Sequence, residues 1–110
     1  MEVIPLNIFT DPGTEDTKEL FEVIATLDDA RIERIITQKP YSSPGQWYNQ
    51  EQDEWVVLLR GNATIEIRDQ GLIELRSGDY IMLPAHCQHR IIRTSPDPAC
   101  IWLAVHGKLR

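Results

Sequence analysis

From Glu54 to His106 the sequence repeats one device, a short apolar or alternating run closed by turn residues. EWVVLL, ATIEIR, GLIELR, YIMLP, HRIIRT and CIWLAVH are separated by RGN, DQG, RSGD, PAHCQ and SPDPA. Evenly spaced short strands punctuated by Gly, Pro and Asp specify an all-β barrel or sandwich rather than a fold containing βαβ units. ATIEIRDQGLIEL reads as a hairpin: Ile65 and Ile67 alternate with Glu66 and Arg68, and DQG then reverses the chain. SPDPA can only be a connection, because proline cannot donate to a central ladder.

Upstream the pattern is less uniform. RIERIITQ has period two, with Ile32 and Arg34 sharing one face and Ile35 on the other. Before it, TKELFEVIAT carries Leu20, Phe21 and Ile24 at helical spacing behind Glu15 and Asp16, where a helix dipole favours negative charge. One short N-terminal helix is therefore expected. The 110 residues suffice for one core and not two. Residues 1–30 are expected as an N-terminal strand and helix packed on a barrel formed by residues 31–110.

The formal charge of −6 and the lack of Lys/Arg clusters argue against a nucleic-acid partner. No apolar run reaches the ~18 residues a membrane span needs, and MEVIPLNIFTDPG has no basic n-region or long apolar h-region. A soluble, cytoplasmic protein with no membrane partner is the expectation. Cys87 and Cys100 are too few for a disulfide scaffold and form no CxxC pair, so both are expected as reduced structural thiols.

Candidate chemistry lies in GQWYNQEQDEWVVLLRG, which feeds acidic and amide side chains straight into an apolar strand. In an extended chain Tyr48, Gln50, Gln52, Glu54, Val56 and Leu58 share a face, and Val56 and Leu58 mark it as the interior. Glu54 is then an inward carboxylate, costly unless paired, metal-bound or protonated. Glu51 and Asp53, of opposite parity, are expected in solvent. Trp55, Val57 and Leu59 need cover on the other side, for which a homodimer is the economical solution.

Two spacings resemble those of the cupin superfamily. Six residues separate Glu54 from Gly61, as the glutamate and closing glycine of the first cupin motif require, and Tyr48 and Gln50 occupy its two histidine positions. GDYIMLPAHCQH supplies Gly78, Pro84 and His89 at the intervals of the second motif, with His86 where that motif has glycine. The resemblance spans roughly residues 31 to 106. It implies a cupin double-stranded β-helix, a small jelly-roll barrel, usually dimeric. In metal-binding cupins the two histidines and glutamate of the first motif and the histidine of the second converge on one divalent metal. Here Glu54 and His89 match that set, and Tyr48 and Gln50 replace the rest.

These residues support two kinds of chemistry. Glu54 and His89 could hold one divalent metal (Fe, Mn, Ni or Zn), with Gln50 or His86 as further donors, although two strong ligands fall short of the usual three. Alternatively Tyr48, Gln50, Glu54 and His89 form a metal-free polar site in which Glu54 and His89 are an acid/base pair. Arg34 could point inward, toward Glu54 or an anionic ligand, or lie on the surface. His106 is a further candidate whose direction nothing fixes. The expected function is binding of a small polar or anionic metabolite in the barrel. A metal-dependent dioxygenase or isomerase and a non-catalytic dimerising module are the alternatives.

Overall fold

The structure is a computed structural model and describes residues 2–11 and 19–109. Among these residues eight strands follow one another: β1 (Glu19–Leu27), β2 (Ala30–Thr37), β3 (Asp53–Arg60), β4 (Asn62–Ile67), β5 (Gly71–Arg76), β6 (Tyr80–Leu83), β7 (His89–Thr94) and β8 (Ile101–Gly107). They form a five-stranded sheet in the order β1-β2-β8-β3-β6 and a three-stranded sheet in the order β5-β4-β7. All the pairings within them are antiparallel. Between the sheets Ile35, Val56, Leu58, Trp102 and Ala104 of the larger meet Ala63, Ile65, Ile67 and Leu75 of the smaller in one core. Burial of these apolar faces is the main stabilising contribution.

The turns explain several sequence signals. Asp69 and Gly71 both take positive φ, 68° and 119°, where DQG reverses the β4–β5 hairpin. Gly61 sits at φ 94° between β3 and β4, and a Cβ there would lie 2.8 Å from Ser95 Oγ and 2.9 Å from Cys100 Sγ. Only glycine meets both demands. Cys87 and Cys100 are free thiols, Cys100 buried with Sγ donating to the Asn62 carbonyl at 3.3 Å.

Among the described residues the short N-terminal helix is not formed. Glu19–Leu27, which holds Leu20, Phe21 and Ile24, is strand β1, paired along its length with β2 from Glu19 opposite Thr37 to Leu27 opposite Ala30. The helical spacing was matched equally well by a period-two reading through Glu19, Phe21 and Val23, and β-branched Val23, Ile24 and Thr26 suit a strand. An available sheet edge decides between them, because local propensity is weak beside tertiary pairing. Glu15 and Asp16, the expected helix start, lie outside the described residues. Nor is the apolar start VIPLNIF a strand: residues 2–11 form no regular element, and Val3, Ile4 and Leu6 are exposed. No helix among the described residues is long and apolar enough to cross a membrane.

Candidate functional site

A cavity of about 70 Å³ lies between the sheets. It is walled on the larger sheet by Glu33 and Ile35 of β2, Glu54 and Val56 of β3, and Trp102 and His106 of β8. His89 and Ile91 of β7 face them from the smaller sheet, and Tyr48 and Gln50 approach from the long β2–β3 connection. Glu19 and Phe21 of β1 also line it, and Phe21, 49% exposed, shows that the cavity reaches the surface on this side.

Strand register brings the polar groups together. On β8, alternation buries Trp102, Ala104 and His106 on the inner face, and His106 stands opposite Arg31 of β2 and Glu54 of β3. His89 begins β7, where its backbone exchanges hydrogen bonds with that of Tyr48 and so draws the β2–β3 connection into the barrel mouth. The Tyr48 and His89 rings stack at 5.7 Å between centroids. Trp47, the neighbour of Tyr48, lies under the guanidinium groups of Arg68 and Arg90 at 4.3 and 4.4 Å, which fastens the same connection to the outside of the smaller sheet.

Two carboxylate–imidazole pairs result. His106 Nε2 lies 3.0 Å from Glu33 Oε1, and both residues are buried. That hydrogen bond holds the Glu33 carboxyl below its ordinary range, against the opposing effect of burial, with the charges of His106 and Arg31 assisting. In the second pair His89 Nε2 and Glu54 Oε1 are 3.9 Å apart, too far for a hydrogen bond. The Glu54 side chain accepts no hydrogen bond among the described residues, although the residue is only 5% exposed. Burial pushes its carboxyl above the ordinary range; His106 and His89 pull it back, and Glu33 adds to the rise. His89 Nδ1 is 3.0 Å from the Cys87 carbonyl, an acceptor only, so Nδ1 carries a proton. In the neutral ring Nε2 therefore presents a lone pair toward Glu54.

Glu19 adds a third carboxylate. Its Oε1 accepts from the Tyr41 hydroxyl at 3.2 Å and the Tyr48 hydroxyl at 3.3 Å. Burial nonetheless raises its carboxyl, and repulsion from Glu54 contributes. The Tyr48 phenol is pushed up to about 12 by burial and by the neighbouring Glu19. It is a proton donor to Glu19 and not a phenolate.

Of the residues read from the sequence, Tyr48, Gln50, Glu54 and His89 line this cavity. Arg34 does not: it lies on the opposite face of β2, with Nε donating to Glu22 Oε1 at 2.9 Å and Nη1 to the carbonyls of Ile8 and Thr10. Its guanidinium ties down the N-terminal segment instead of meeting Glu54. His86 is likewise outside, with Nδ1 3.0 Å from Asn49 Oδ1, and its φ of 64° fits a motif position that calls for glycine. Gln52 leaves the shared face, bonding Arg31 Nη1 at 2.7 Å and the Asp29 carbonyl at 2.9 Å, because regular strand begins only at Asp53. Asp53 is buried and not solvated: Oδ1 accepts from Ala85 N at 2.8 Å and Oδ2 from Leu109 N at 3.0 Å. Glu19 and Glu33 were missed, and His106 was left without a direction. The alternation of Trp102, Ala104 and His106 was the available signal for the last.

The donor set does not fit a divalent metal. No group of three His, Cys, Asp or Glu side chains among the described residues is placed to hold one. His106 is committed to Glu33, His86 faces away, Gln50 offers a neutral amide, and the Tyr48 phenol keeps its proton.

Residues 35–106 match the family model described as a cupin domain. No curated protein matches the sequence. Among solved structures, the "putative mannose-6-phosphate isomerase" of Ralstonia eutropha JMP134 is 37% identical, aligned over 96% of this chain and 99% of that one with a TM-score of 0.83. A cupin superfamily protein of Desulfitobacterium hafniense DCB-2 is 22% identical over 88% and 84% of the two chains, with a TM-score of 0.70. KdgF from Halomonas sp. is 16% identical over 94% of both, with a TM-score of 0.71. The last two share the fold.

Proposed function

We propose, from the premise that the chain belongs to the cupin domain family, that its barrel binds a small polar metabolite, recognised by Glu54, His89, Tyr48, Gln50 and Glu19. The observation that carries this is Glu54, a buried carboxylate with no hydrogen bond, facing an imidazole 3.9 Å away in a cavity open to the surface. Such a gap suits a bridging ligand group or water. A barrel kept only for packing would have little reason to retain the cost of that group. Among the described residues no Lys or Arg side chain is on the cavity wall, which favours a neutral polar or cationic ligand over an anionic one. The test is an NMR titration with a panel of neutral polyols, sugars, short acids and amines. A binder should move the amides of Tyr48, Gln50, Glu54 and His89, and Glu54→Gln should abolish the effect. If no compound moves these amides, the reading is wrong.

A proton-transfer enzyme of isomerase type is the second reading, favoured by the 37% identity to a protein bearing such a name. In it Glu54 would take a proton and His89 would hold or return one, with no step requiring a metal. Fold alone cannot choose between the two readings, since cupin barrels serve unrelated activities. The homodimer is also a proposal. Trp55, Val57, Tyr80 and Met82 neighbour one another on the outer face of β3 and β6, Trp55 and Tyr80 in ring contact at 5.4 Å, and Tyr80 and Met82 are exposed.

A further inference from the structure

The polar atoms turned into the cavity are mostly hydrogen-bond acceptors. Among the described residues neither oxygen of Glu54 accepts a hydrogen bond, and Glu19 accepts only at Oε1, from Tyr41 and Tyr48. His89 faces Glu54 with Nε2, while its Nδ1 donates to the Cys87 carbonyl. Glu33 is already matched by His106. Among the described residues no Lys or Arg side chain is on the wall to set against these acceptors. Arg31 is bound to Gln52 Oε1 at 2.7 Å and lies 3.5 Å from Glu33 Oε2, and Arg34 is on the far face of its strand. The rest of the wall is apolar and aromatic, with Phe21, Ile35 and Trp102 among its members.

We infer that this barrel takes a small primary ammonium compound, its donor-only head between Glu54 and Glu19 and its short apolar tail against Phe21, Ile35 and Trp102. An ammonium group has three donors and no acceptor, the complement of carboxylate oxygens that await donors. It also neutralises two carboxylates that already repel each other. Aromatic walls favour a cation over an anion, since the ring face is negative. A cavity of about 70 Å³ limits the tail to a few carbons.

The inference rests on the ligand-binding reading above and narrows it. The probes are n-propylamine, n-propanol and propionate, equal in length and different in charge. They are titrated by NMR into the full chain near about pH 8, where an alkylammonium stays protonated. The amine should bind roughly tenfold or more tightly than the alcohol, propionate should not bind, and Glu54→Gln and Glu19→Gln should each lower amine affinity about tenfold. Thermal melts of both near-isosteric variants establish that they are folded. Equal binding of alcohol and amine, or tighter binding of propionate, overturns the inference and leaves the ligand-binding reading standing. So does failure of all three probes where a sugar or polyol binds. Failure of every compound overturns both.

Discussion

Glu33 and Glu54 both meet a histidine on the wall of one cavity, yet the surroundings move their carboxyls in opposite directions. Glu33 has its imidazole at 3.0 Å and Arg31 beside it, so its charge is matched inside the protein. Glu54 is as deeply buried but stands 3.9 Å from the His89 imidazole, beyond hydrogen-bond reach. The first pair is closed and serves the fold. The second is left open, as expected of a group whose partner arrives with a ligand.

The largest effect should come from breaking the closed pair. His106→Ala leaves Glu33 charged and buried with only Arg31 beside it, and should cost about 3 kcal/mol in a urea unfolding titration. A loss below about 1 kcal/mol would place Glu33–His106 with surface pairs and remove the contrast.

Isosteric removal of each charge sharpens the contrast further, with opposite signs. Glu33 has a lowered folded pKa, so its ionised form stabilises the fold above the ordinary value of 4.5, and that contribution is lost as pH falls through the folded value. Glu54 has a raised folded pKa, so its ionisation opposes folding, absent below 4.5 and growing as pH rises toward the folded value. Glu33→Gln should therefore destabilise at neutral pH by about 1–2 kcal/mol, a deficit that shrinks in acid. Glu54→Gln should stabilise by up to about 1 kcal/mol at neutral pH, converging on the wild type near pH 4.5. Chemical denaturation across pH reads both, and two curves of the same sign would mean that the pairs are equivalent.

The sequence disclosed the two pairs unequally. Glu54 and His89 could be found because each sits in a spaced motif whose glycines, Gly61 and Gly78, take the positive φ their turns require. Tyr48 and Gln50 also reached the cavity, although residues 49–52 are not strand and parity cannot be counted through them. Gln52 shows how that counting fails. Glu33 and Glu19 were hidden for another reason: alternation tells which residues share a face and not which face is inside, and in ELFEVI and RIERII both faces carry apolar and charged side chains. Strand β1 was read as a helix because an edge strand with exposed Val23, Ile24 and Leu27 lacks a clean polar side. Asp53 was assigned to solvent by the parity that correctly placed Glu54, since no local pattern reveals that Ala85 N and Leu109 N would need its carboxylate.

The smallest effect tests whether the open pair has a third protein partner. His86 was a candidate for that role, but its ring points to Asn49 and its backbone sits at φ 64°. A left-handed conformation costs a non-glycine residue on the order of 1 kcal/mol, offset here by an exposed side-chain hydrogen bond and by the greater unfolded-state freedom of glycine. His86→Gly should thus leave stability within about 1 kcal/mol of the wild type. Affinity for whatever compound binds in the barrel should stay within about twofold, less than half a kcal/mol. Thermal melts and the same NMR titration measure the two quantities. A tenfold loss of binding would mean that the turn swings His86 inward on binding, and that Glu54 and His89 are open only because their third member is elsewhere.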